Sequence, residues 1–112
     1  MSKKIKIGII NCETGKIVKE KILEDNSIWK DEKEEFQKKA LKEVKKMSAW
    51  FDDKDTFFSG KKIWDCWERI GDNKRFESVI KGTGWSKIST LSVAVFNGNH
   101  GEEYELYVEE IE

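Results

Sequence analysis

Proline is absent from this 112-residue sequence, histidine occurs once and cysteine twice. Each shortage removes a class of function. A lone histidine excludes the common multi-histidine metal sites and leaves any Cys-His nucleophile pair with His100 as its only base. Cys12 and Cys66 are widely spaced and outside any C-x-x-C pair, so neither a disulfide framework nor a zinc site is expected, and two reduced structural thiols are the plain reading. No stretch approaches the ~20 apolar residues of a membrane span, and no run of signal-peptide length follows the basic start Lys3-Lys4-Ile5-Lys6. A cytoplasmic protein with no membrane partner is expected. Without proline, a Gly/Ser-rich linker or an internal repeat there is no place to divide the chain, which reads as one domain over residues 1–112.

Charge and aromatic bulk are what is present. Charged residues make up 38% of the chain, yet 21 basic side chains against 22 acidic ones leave a net charge of −1, without the global field that draws a protein onto nucleic acid. The balance is uneven along the sequence. Residues 1–50 carry 13 lysines against 9 acids (13 − 9 = +4), and residues 51–112 carry 8 basic against 13 acidic groups (8 − 13 = −5). Five tryptophans and an aromatic share of 12% exceed what a disordered chain carries.

Residues 4–10 alternate, with Ile5, Ile7 and Ile9 on one face and Lys4, Lys6 and Gly8 on the other, and the turn-forming residues 11–16 return the chain into a second strand over residues 17–23. From about residue 27 to 51 the period becomes helical. Trp29, Phe36, Ala40, Leu41, Val44, Met47, Trp50 and Phe51 fall on one half of the wheel, with Lys38, Lys39, Lys42, Lys45 and Lys46 opposite. Glu34 with Lys38 and Glu35 with Lys39 are favourably ordered i,i+4 pairs. Ile63, Cys66, Trp67 and Ile70, then Phe76, Val79 and Ile80, mark two short helices separated by Gly71-Asp72-Asn73, with a hairpin over residues 63–81 as the competing reading. Residues 91–95 and 104–108 alternate as a second hairpin around 97–101. The expected architecture is α+β, in the order β-β-α-α-α-β-β, with an antiparallel sheet of about four strands and the long helix across its apolar face.

Four groups of residues offer chemistry. Trp64 and Trp85, with Phe57 and Phe58, are expected to form an aromatic patch that anchors a partner, since exposed tryptophan dominates binding hot spots. Glu103, Glu105, Glu109 and Glu110 on the last strand would supply an acidic face able to meet a basic groove. Gly82, Thr83, Gly84, Trp85, Ser86 and Lys87 form a loop that could cradle an anion and stack a base, although Gly82 is also explained as a helix C-cap and the spacing is not that of a phosphate loop. The lysine face (Lys38, Lys39, Lys42, Lys45, Lys46) could dock phosphates, but without arginine it reads first as a solvated helix face. No catalytic constellation, metal site or cofactor motif stands out, and His100 reads as a solvated turn residue.

In composition, this short Lys/Glu/Ile-rich chain without proline resembles accessory proteins of phages and mobile elements from AT-rich hosts, among them small inhibitors of host defence such as anti-CRISPR proteins. The aromatic patch and the acidic C-terminal half give the leading expectation, a non-enzymatic protein that occludes a macromolecular partner, and the resemblance implies that this partner is a host factor. Capture of a nucleotide or signalling nucleotide by the 82–87 loop is the alternative, nucleic-acid binding through the lysine face comes third, and a homodimer formed by edge pairing is left open.

Overall fold

The computed structural model describes residues 3–70 and 73–111. Two hairpins flank three helices: β1 (Lys3–Asn11), β2 (Ile17–Asp25), α1 (Lys30–Ser48), a 3-10 turn (Ala49–Phe51), α2 (Ile63–Ile70), α3 (Asn73–Lys81), β3 (Ile88–Asn97) and β4 (His100–Glu110). The sheet is four-stranded and antiparallel in the order β2-β1-β4-β3, so β1 and β4 pair at its centre with Ile7 opposite Val108. The expected α+β order is the observed one. Residues 63–70 and 73–81 are helical rather than strands of a hairpin, and Gly71 and Asp72 of the expected stop lie outside the described residues.

Alternation decides which face of the sheet is covered. Ile5, Ile7 and Ile9 share one side with Leu106 and Val108, all fully buried, and there they meet Val44 of α1, Phe51, Trp67 of α2 and Phe76 and Ile80 of α3. Each such burial contributes about 1.5–3 kcal/mol, which makes this one layer the main source of stability. The opposite parity (Lys6, Gly8, Tyr107, Glu105) forms the uncovered side.

α1 starts later than its periodicity suggests. Trp29 is extended (φ −94°, ψ 153°), so it precedes the helix and is 69% exposed instead of lying on the buried stripe. A wheel assigns a face only to residues that are helical. The expected Glu34–Lys38 and Glu35–Lys39 pairs are also replaced: among the described residues, Glu43 collects Lys21 from β2 at 2.9 Å and Lys46 at 3.5 Å. The Lys21 ammonium, hydrogen-bonded to Glu43, holds its carboxyl below the usual carboxylate range.

The end of α3 is closed by its own backbone. Gly82, at φ +71°, sends its N–H to Val79 O (3.2 Å), and Thr83 sends its N–H to Ser78 O (3.1 Å). This is the paired bonding of a Schellman cap, in which glycine accepts the left-handed conformation at little steric cost. Lys3 Nζ donates to Ile80 O at 2.6 Å, placing a cation at the negative end of the helix and tying β1 to it.

Candidate functional site

β3 stands apart from the rest of the chain. Its ten residues, Ile-Ser-Thr-Leu-Ser-Val-Ala-Val-Phe-Asn, contain no charge, glycine or proline in a protein that is 38% charged, and the strand lies at an edge of the sheet. Edges are ordinarily blunted by lysines, prolines or bulges, because a row of unpaired N–H and C=O groups templates another strand. The opposite edge, β2, follows that rule with Lys19, Glu20, Lys21 and Glu24.

The backbone register shows which β3 groups are unpaired. Glu110 donates to Lys87 O, so residues 87, 89, 91, 93 and 95 turn their backbone groups toward β4, and the even-numbered residues turn theirs outward. Ser86 closes one end of that outward row: its hydroxyl donates to Ile88 O at 2.7 Å and accepts the Ile88 N–H at 3.2 Å. The segment before α2 closes the other end, where Thr56 bridges Val95 and Phe96 donates to Asp55 O at 2.7 Å. Between them the outward groups of Thr90 and Ser92 have no backbone partner among the described residues.

Exposed aromatic rings bracket this window. Trp85, fully exposed, precedes it, and Phe57, 77% exposed, follows the bridging Thr56. Trp85 also lines a groove of about 420 Å³ with Ile88 and Thr90 on one side and Arg75, Ser78 and Val79 of α3 on the other. Backbone hydrogen-bonding capacity, an apolar margin and a cleft thus converge on one strip of surface.

The expected aromatic patch is divided. Phe57 and Phe58 stack edge to face with centroids 5.3 Å apart, and Phe58 packs on the core. Trp64 is half-buried, set edge-on to Trp67 at 6.4 Å, and lines a different groove from Trp85. Trp67 sits at the centre of the core, where its indole Nε1 has no hydrogen-bond partner among the described residues.

The acidic face is smaller than expected. Glu103, Glu105 and Glu109 share the uncovered side with Tyr107, but Glu110 has the opposite parity and stands across from Ile5 on the helix side. Lys6 lies opposite Glu109 and 3.7 Å from Glu20, which offsets part of the negative charge. At the far end Glu103 and Glu105 approach Cys12; partial desolvation of the sulfur, then the charges of Glu105 and Glu103, push its thiol above the ordinary value.

The 82–87 loop is exposed, but many of its groups are committed. The N–H groups of Gly82 and Thr83 close α3, the Ser86 hydroxyl caps Ile88 and the Lys87 carbonyl accepts from Glu110, leaving Gly84 and Trp85 as its free part. The lysines of α1 all lie exposed. His100 begins β4, its Nε2 3.9 Å from Glu13.

Comparison with known protein families, characterised proteins and solved structures finds no match, so the chemistry of the site stands on its geometry. Sequence reading pointed to Trp85 and Phe57 but not to Thr90 and Ser92 between them. The available signal was the loss of all charge over residues 88–97.

Proposed function

We propose that this is a non-enzymatic binding protein that occludes a macromolecular partner by adding an extended segment of that partner to the free edge of β3. The unguarded edge at Thr90 and Ser92 carries this reading. Another polypeptide backbone offers alternating donors and acceptors at strand spacing, which supports protein as the class of partner. Trp85 and Phe57 then provide the apolar anchors, since large rings dominate the energy of such contacts. The acids that remain together on the uncovered side, Glu103, Glu105 and Glu109, bias the choice toward partners with basic flanks.

Strand addition needs the backbone more than any single side chain, and the test follows from that. A photoreactive phenylalanine analogue is placed at Thr90 and irradiated in the cells that produce the protein. The expected result is one adduct of fixed mass that disappears when Ser92→Pro removes an outward N–H without touching the internal ladder. An adduct at twice the chain mass would make the occupant a second copy and overturn the occlusion reading, as would an adduct that survives Ser92→Pro.

A further inference from the structure

Folding assembles a second surface from residues far apart in sequence, and it shares no lining residue with the β3 edge. Lys42, Lys45 and Lys46 on the last turns of α1, and Lys62 just before α2, line one groove of about 330 Å³ together with Trp64 and Ala49. Of the four ammonium groups, only Lys46 has a carboxylate partner among the described residues: Glu43 at 3.5 Å, itself held closer by Lys21 at 2.9 Å. The groove's own acid, Asp52, accepts the Ile63 N–H at 3.1 Å and so caps α2 while keeping its charge, which leaves four lysines against one carboxylate in the lining. Like charges at Lys42 with Lys45 and Lys46 oppose helix stability.

A net-positive cluster of lysines beside an aromatic side chain is the chemistry that receives a base and its phosphates. The half-buried Trp64 ring packs edge-on against Trp67 at 6.4 Å and also lines the groove. We propose that this groove binds single-stranded nucleic acid, with a base stacked against Trp64 and the neighbouring phosphates on Lys42, Lys45 and Lys62. A duplex hides the base faces that Trp64 would receive. The groove's cations are all lysines, which lack the planar fork that reads base edges, so binding is tolerant of sequence.

Fluorescence anisotropy with labelled oligothymidylate and oligouridylate, each about 12 nucleotides long, tests the assignment and separates DNA from RNA as the source of the strand. Neutralising three phosphates of a single strand predicts an affinity that falls about twenty-fold between roughly 50 and 200 mM salt. Lys42→Gln with Lys45→Gln should weaken binding at low salt and flatten that dependence. Trp64→Leu should weaken binding about tenfold or more while leaving the salt slope unchanged, because stacking releases no counterions. The lysine pair is solvent-exposed, so its variant keeps the test valid if loss of Trp64 disturbs folding. Lys38→Gln with Lys39→Gln removes the same charge from α1 outside the groove and should change little. No binding of either oligonucleotide at low salt, an equal loss from the Lys38 and Lys39 pair, or equal affinity for duplex would overturn the assignment. Because neither arm involves the β3 edge, these results stand apart from the fate of the strand-addition reading.

Discussion

Tyr107 lies across Gly8 on the uncovered side of the sheet: the two are register partners, and a Cβ at residue 8 would stand 2.6 Å from the tyrosine Cζ and 2.7 Å from the Lys19 carbonyl oxygen. Glycine lets the ring lie flat on the sheet, and Tyr107 is thereby buried although no helix covers it. Gly8→Ala should therefore destabilise the fold by about 1–3 kcal/mol in urea unfolding. Tyr107→Ala in the same chain should recover only part of that loss, since the contact with the Lys19 backbone remains.

Lys21 and Glu43 give stability a pH dependence. The folded state lowers the Glu43 pKa, so its contribution is complete above the ordinary carboxylate value and is lost as pH falls through the lowered one. Lys21→Met should cost about 0.3–1 kcal/mol near neutrality. Urea titrations at about pH 7 and about pH 3 should show the difference between the two proteins shrinking in acid.

The outward parity of the β3 edge can be checked by proline. Ser92→Pro removes a donor that faces solvent and should leave the far-UV spectrum and thermal midpoint nearly unchanged. At the buried neighbour Val93, whose N–H faces β4, the same substitution should cost about 3 kcal/mol or more.

Trp67 Nε1 is a buried donor without an acceptor among the described residues, a cost of about 1–3 kcal/mol that the core already carries. Trp67→Phe removes this penalty while leaving a small void. The two effects oppose each other, and the net change in unfolding free energy should stay within about 1 kcal/mol.

Cys12 should be a slow nucleophile despite its exposure, because desolvation and the flanking Glu105 and Glu103 all favour the neutral thiol. Glu105→Gln removes the charge with the larger effect on the thiol and should speed iodoacetamide labelling near neutral pH. The two rates should converge at high pH, where both thiols ionise fully.

Where function depends on local periodicity, the sequence was readable. Ile5, Ile7 and Ile9 mark the buried face of β1, the stripe through Ala40 and Val44 marks α1, and Gly82 marks the end of α3. The misreadings share a cause: each required knowing where an element begins or what it packs against. Trp29 left the helical wheel because the helix starts one residue later, and Glu110 left the acidic face because strand parity outweighs its adjacency to Glu109. Trp64 was grouped with Trp85 as another aromatic residue, whereas folding brings it to Lys42, Lys45 and Lys46 through the reversal between α1 and α2. No local pattern encodes that meeting, since Lys62 and the α1 lysines are joined only by tertiary packing.

The pairing of β1 with β4 at the centre of the sheet joins Ile7 to Val108, on the order of a hundred residues apart. A growing chain on the ribosome can form the β1–β2 hairpin early, but Ile5, Ile7 and Ile9 have no central partner until β4 has been made. Closing this central pair carries the entropy of a loop of about a hundred residues, so the full sheet should form more slowly than either hairpin, with the apolar face of β1 waiting on it.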